Sequence, residues 1–113
     1  MSDCLFCKII NGEIPSQKVY EDETVFAFKD INPMAPVHIL VIPKQHITNL
    51  LEIGEDNSQI VSHIFEVIAT IAKEFKLEKG FRVVSNCNEY AGQTVFHLHF
   101  HVLGGKQLSD QMA

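Results

Sequence analysis

The sequence predicts an α+β domain: an antiparallel sheet of about five strands, covered on one face by one long helix, with a short helix near the N-terminus. Three observations predict it. Between Ser58 and about Lys76 the apolar residues Ile60, Ile64, Val67, Ile68, Ile71 and Phe75 recur at helical spacing. Elsewhere, short runs rich in β-branched and aromatic residues are separated by turn residues, as in strands joined by short connections. The last run, Phe96-His97-Leu98-His99-Phe100-His101-Val102, alternates strictly. An extended backbone there puts the three histidines on one face and the apolar residues on the other.

Cys4 to Asn11 reads as the short helix, ending at Gly12 with Pro15 beyond. Lys18 to Glu21 and Val25 to Asp30 flank Asp22-Glu23-Thr24 and read as a hairpin, which puts Phe28 and Asp30 on one face. Asn32-Pro33-Met34-Ala35-Pro36 is a loop, because its two prolines remove donors and restrict their neighbours. His38 to Ile42 is a strand closed by Pro43, with His38, Leu40 and Ile42 sharing a face. Asp56, Asn57 and Ser58 are candidate caps for the long helix, Gly80 follows its end, and His63 on its polar side is expected to be solvated. Phe81 to Asn86 reads as a strand, Asn88 to Gln93 as a polar loop containing Gly92, and Val95 to Leu103 as the histidine strand.

At 113 residues, 46% hydrophobic and 20% charged, the chain has the make-up of one soluble globular domain spanning 1–113. Met1-Ser2-Asp3-Cys4 lacks the basic and apolar regions of a secretory signal, and no apolar run is long enough to span a bilayer. A cytoplasmic location with no membrane partner is the expectation. A net charge of −5 without a Lys/Arg cluster argues against polymeric nucleic acid as a partner. A small phosphorylated ligand stays compatible with that charge, because local donors can bind an anion. In a reducing compartment the three cysteines are better read as metal ligands or free thiols than as disulfides, and Cys87 is a lone structural thiol.

Packing alone explains the histidine triplet poorly, since imidazole pairs badly with itself and buried polar groups need partners. A neutral imidazole nitrogen is a good nucleophile near neutral pH, and the positive charge gained on attack makes it a good leaving group afterwards. Cys4-x-x-Cys7 has three readings on its own: a zinc half-site, a redox pair, or two small apolar residues on a helix. The redox reading is weak, because such pairs normally follow a strand in a βαβ unit.

The segment from Gly92 to Gly105 resembles the His-φ-His-φ-His-φ-φ signature of the histidine triad (HIT) family, specifically its nucleotide-binding phosphoramidase (HINT-like) branch. Phe28-Lys29-Asp30-Ile31-Asn32-Pro33 and the run from Pro36 to His46 are similar to the same branch in order and spacing, so the resemblance covers Cys4 to Gly105. It implies a HIT-like fold and a hydrolase of nucleoside 5′-phosphoramidates, on adenosine or another purine nucleoside, acting through a covalent nucleotidyl-histidine. His99 stands at the nucleophile's position. The resemblance places His101, Asn86, Gln93, Thr94 and the backbone at Gly92 around the phosphoryl oxygens, and Asp30 on the ribose hydroxyls. Thr94 stands where many relatives carry serine. His38 is placed near the nucleophile, helping to orient it. Leu5, Phe6, Ile9, Phe28, Ile31 and Leu40 match the apolar slot for the base, although each taken singly reads equally well as core.

Bacterial relatives with the cysteine pair bind structural zinc through positions matching Cys4, Cys7, His46 and His97, which adds an expected zinc ion; no cofactor is expected for catalysis. A homodimer is also implied. The polar tail from Lys106 to Ala113 departs from relatives whose aromatic C-terminus reaches the partner's active site. Two other readings stay open: a dinucleoside polyphosphate hydrolase or nucleotidyltransferase of the same family, and a non-catalytic module binding a purine nucleoside monophosphate.

Overall fold

The computed structural model describes residues 3–112, so Met1, Ser2 and Ala113 lie outside the described residues. Helix α1 spans Leu5–Ile10 and is capped by Cys4, whose Sγ accepts the Cys7 N–H at 3.3 Å. It is followed by β1 (Lys18–Glu21), β2 (Val25–Lys29), β3 (Val37–Pro43), the long helix α2 (Ser58–Glu74), β4 (Phe81–Val84) and β5 (Phe100–Gly104). The five strands form one sheet in the order β1-β2-β3-β5-β4, every neighbouring pair antiparallel. The α+β prediction is therefore correct. No helix is long and apolar enough to cross a membrane among the described residues.

The period-two pattern of the strands sorts the core into two layers. Val25, Ala27, Ile39, Val41, Phe100 and Val102 pack with Ile64, Val67, Ile68, Ile71 and Ala72 of α2. On the opposite face Phe26, Phe28, Leu40 and Ile42 pack with Phe6 and Ile9 of α1. His38 of β3 and His101 of β5 belong to this second face, with His101 directly opposite Leu40 in the ladder. Ile71 is fully buried, and Ile71→Ala is expected to cost about 2–5 kcal/mol of unfolding free energy, read from denaturant titration.

Four sequence expectations are corrected. The histidine strand starts at Phe100, not Val95, because the backbone before it bonds outside the ladder: the Leu98 N–H donates to the Ile47 carbonyl at 2.6 Å. Phe96, expected on the apolar face of that strand, is consequently half exposed. Strand β4 ends at Val84, not Asn86, and there the Ser85 hydroxyl takes over by donating to the His99 carbonyl at 2.8 Å. Helix α2 ends at Glu74: Lys76 turns left-handed (φ 59°), and the N–H groups of Lys76 and Leu77 close back on the carbonyls of Lys73 and Ala72.

His63 is not merely solvated. Its Nε2 lies 2.6 Å from Asp22 Oδ2 and its Nδ1 lies 3.1 Å from Glu66 Oε1, so it ties α2 to the β1–β2 turn. The hydrogen bond to Asp22, reinforced by Glu66, raises the His63 pKa. Burial pushes the Asp22 carboxyl up, but bonds from His63, Tyr20 and the Thr24 and Val25 N–H groups outweigh it and hold it well below the usual carboxylate range. A raised histidine adds stability that is complete below its ordinary value near 6.5 and is lost as pH rises through the folded value. The depressed carboxyl adds stability present above its ordinary value near 3.8 and lost on acidification below it. His63→Ala should therefore cost more at pH 5.5 than at pH 9 in denaturant titrations, by less than about 1 kcal/mol because the pair is partly solvated.

Candidate active site and metal centre

The triad imidazoles and His38 sit on the α1 face of the sheet. His99 is buried, and its Nδ1 lies 2.7 Å from the carbonyl of His97. A carbonyl only accepts, so Nδ1 carries the proton and Nε2 keeps its lone pair. Burial lowers the His99 pKa, opposed by the bond to His97 and by the charge of Asp30, so the ring is neutral at pH 7. Phe6 meets it edge to face, ring centroids 5.1 Å apart. The His101 ring stands at the same centroid separation from His99. Burial, then its neighbours His99 and His38, lower the His101 pKa to about 4.

His38 reaches three groups. Its Nε2 lies 2.9 Å from His101 Nδ1 and 3.4 Å from Asp30 Oδ2, and its Nδ1 accepts the Met34 N–H at 3.0 Å. The resemblance implies that His38 helps to orient the nucleophile; the polar contacts its ring makes run to His101, Asp30 and Met34. Asp30 Oδ1 accepts the Asn32 N–H at 2.8 Å, which fixes the carboxylate at the mouth of the Asn32–Pro36 loop.

Two of the groups expected around the phosphoryl oxygens bond within the protein. The Gln93 side chain is buried: Oε1 accepts the Asn88 N–H at 2.7 Å, and Nε2 donates to the carbonyls of Thr48 and Val95 at 2.9 and 3.1 Å. The Gly92 N–H donates to the Glu89 carbonyl at 3.0 Å, and its φ of 85° is one that glycine adopts without strain. Both frame the loop that delivers exposed Thr94 and precedes the histidines. Asn86 follows β4, half-buried.

The apolar residues expected around the base divide. Phe6, Ile9, Phe28 and Leu40 are buried in the layer beneath the histidines. Leu5 is 42% and Ile31 90% exposed, which leaves these two available to a ligand. Leu5 and Thr94 share a cavity of about 810 Å³ with Cys4, His46, Val95 and Phe96. Asp30 and Ile31 line another of about 510 Å³ with Pro15, Ser16, Gln17 and Lys29.

Cys4, Cys7, His46 and His97 form one cluster, their four ligand atoms all within 4.8 Å of one another. Cys4 Sγ lies 3.3 Å from His97 Nδ1, and Cys7 Sγ lies 3.5 Å from His46 Nδ1 and 3.6 Å from His97 Nδ1. His97 Nε2 donates to the Pro43 carbonyl at 2.8 Å, which turns the Nδ1 lone pair toward the thiols. Burial first, partly offset by that carbonyl, lowers the His97 pKa to about 4, so the ring is neutral and free to ligate. Burial and the adjacent Cys4 hold the Cys7 thiol up to about 11. Two thiolates side by side need a cation, and this donor set can hold a metal ion. A second group, Asp30, His38 and His101, also converges, but the bonds among its members already account for it.

Sequence reasoning missed the Pro43 carbonyl and the Met34 N–H, which aim the His97 and His38 rings, and the Ser85 hydroxyl, which holds the His99 carbonyl. The first two are backbone atoms, which carry no residue-type signal. The His97 carbonyl that anchors His99 is different, because the family resemblance implies a backbone acceptor within the same strand.

The structure superposes on a HIT family hydrolase from Clostridium thermocellum with a TM-score of 0.98 and 51% identity, covering 100% of this chain and 99% of that one. It is also similar to the histidine triad nucleotide-binding protein from Candida albicans, with a TM-score of 0.81 and 35% identity over 98% of this chain and 87% of that one. A 14 kDa zinc-binding protein from Zea mays is 47% identical over 110 residues, which is 96% of this chain and 86% of that protein. Residues 11–108 match the HIT domain, and the chain belongs to that family.

Proposed function

We propose that this chain is a hydrolase that cleaves the P–N bond of purine nucleoside 5′-phosphoramidates, adenosine 5′-phosphoramidate among them. The observation that carries the reading is the His99 ring: its Nδ1 proton is anchored on the His97 carbonyl, so a bare Nε2 is available to attack phosphorus. His99 Nε2 bonds to the α-phosphorus as the P–N bond breaks, and the amine departs with a proton taken up from solvent. Water then adds to phosphorus, the N–P bond breaks, a proton is released, and nucleoside monophosphate leaves a neutral His99. His101, Asn86 and Thr94 donate to the phosphoryl oxygens, on a loop framed by Gln93 and Gly92. Asp30 accepts from the ribose hydroxyls, while Leu5 and Ile31 hold the base above the apolar layer of Phe6, Ile9, Phe28 and Leu40. The names of the Clostridium and Candida proteins support hydrolysis and nucleotide binding.

The metal is zinc in this reading. Around a tetrahedral zinc with Zn–S of about 2.3 Å and Zn–N of about 2.0–2.1 Å, a sulfur and a nitrogen stand about 3.5 Å apart. Three of the four sulfur–nitrogen separations, 3.3, 3.5 and 3.6 Å, match that spacing, and the fourth, Cys4 to His46, is within 4.8 Å. Four protein ligands leave no open position, so the ion ties α1 to the catalytic segment and takes no part in turnover. The unoxidised thiols this requires fit a cytoplasmic location. Strand β4 is a sheet edge, which supports a homodimer formed by joining two sheets, tested by light scattering.

Turnover decides the reading. Release of amine and nucleoside monophosphate from adenosine 5′-phosphoramidate is expected to exceed hydrolysis of a dinucleoside polyphosphate. The reverse preference would favour the polyphosphate hydrolase, and binding without turnover would favour a nucleotide-binding module.

A further inference from the structure

We propose that the backbone N–H of Met34, acting through His38, fixes the proton of His101 on Nε2 and makes that ring a permanent hydrogen-bond donor to the phosphoryl group. The proposal rests on the hydrolase reading above for its chemistry, but its structural content stands on hydrogen-bond logic.

An amide N–H only donates, so His38 Nδ1, 3.0 Å from the Met34 nitrogen, must accept. A neutral ring has one proton, which is then on His38 Nε2. The two groups facing that nitrogen, His101 Nδ1 at 2.9 Å and Asp30 Oδ2 at 3.4 Å, are both acceptors for it. His101 Nδ1 is therefore bare, and the proton of neutral His101 lies on Nε2. His99 shows the opposite arrangement, with Nδ1 protonated against the His97 carbonyl and Nε2 bare. Two rings 5.1 Å apart are thus set in opposite tautomers, one to attack and one to donate.

With His101 Nδ1 occupied by the His38 proton, loss of the Nε2 proton would leave an imidazolate. His101 accordingly keeps that proton throughout, stabilising the phosphoryl oxygens without serving as the acid that protonates the leaving amine. His38 and Met34 are positioning residues. The Met34 side chain is 78% exposed, so this position contributes its backbone rather than its side chain. Pro33 and Pro36 on either side stiffen the loop, and the Asp30 N–H is bonded to the His38 carbonyl at 3.0 Å. The loop that follows Asp30 and Ile31 therefore also sets the donor facing the phosphate.

The test is a long-range proton–nitrogen correlation spectrum of the full chain with ¹⁵N-labelled histidine at pH 7, without substrate. The expected pattern is Nε2–H for His38 and His101 and Nδ1–H for His99. His101 found as the Nδ1–H tautomer or as an imidazolium would overturn the proposal. Met34→Pro deletes the N–H and is expected to give tautomer-averaged His101 signals and to lower kcat roughly tenfold with little change in KM. Met34→Ala keeps the N–H and should preserve the wild-type His101 pattern. An unchanged His101 pattern in folded Met34→Pro would contradict the proposal, and if that variant does not fold, the wild-type spectrum decides alone. Because the spectrum requires no turnover, it fails or succeeds independently of whether phosphoramidates are the substrate.

Discussion

His99→Ala is expected to lower turnover of adenosine 5′-phosphoramidate by at least about 10³-fold, measured as kcat in a continuous amine-release assay. The magnitude follows from what is removed. The nucleophile of the proposed reaction is a ring whose protonated nitrogen is fixed by the His97 carbonyl and whose free nitrogen is bare at neutral pH. In the proposed reaction Thr94, Asn86 and His101 stabilise charge but cannot form the covalent bond. Alanine leaves those donors in place, so nucleotide binding should persist while chemistry stops. A KM that rises in step with the loss of kcat would instead assign His99 to ground-state binding. Acid should also suppress wild-type turnover, because protonating Nε2 takes up the attacking lone pair. Burial lowers the His99 pKa, so this loss should set in below the ordinary histidine value near 6.5.

Cys7→Ser is expected to remove most of the bound zinc, by elemental analysis of unchelated protein, and to lower unfolding free energy by several kcal/mol, on the order of 3–5. The cause is local. Cys7 lies within 3.6 Å of both His46 and His97, and it belongs to α1, whose Phe6 packs edge to face against His99. Without the ion, α1 keeps only its apolar contacts and the Cys4 cap. Acidification should release zinc, since each ligand must shed its proton to bind. Residual turnover in the weakened variant at low temperature is compatible with a structural ion. Full stability retained after complete metal removal would contradict the assignment.

The elements legible in the sequence are those specified by their own periodicity. The spacing from Ile60 to Ile71 marks α2, and the turn chemistry at Asp22 marks the hairpin, where Oδ1 of that residue accepts the Thr24 and Val25 N–H groups at 2.9 Å. Strand ends were not legible, because they depend on where a partner strand stops. The ladder opposite β3 begins at Phe100, and His97 and Leu98 bond instead to the carbonyls of Pro43 and Ile47. The alternation of the three histidines predicted a shared face, and the structure keeps that face even though His97 and His99 lie outside the ladder. Individual partners were beyond the sequence for the same reason. His38 and His101 are 63 positions apart, and His63 meets Asp22 only because α2 crosses the sheet near the first turn. Of the metal cluster, Cys4-x-x-Cys7 is visible by spacing. His46 and His97 come through family resemblance, since no local rule carries residue 4 to residue 97.

The central claim is that His99 becomes covalently nucleotidylated. It is tested most directly by quenching the protein in acid-free denaturant during turnover of adenosine 5′-phosphoramidate and locating the modification by tandem mass spectrometry. The account predicts a transient adenylyl group on His99, absent from His99→Ala. Steady turnover with no adduct, or an adduct on another residue, would contradict it.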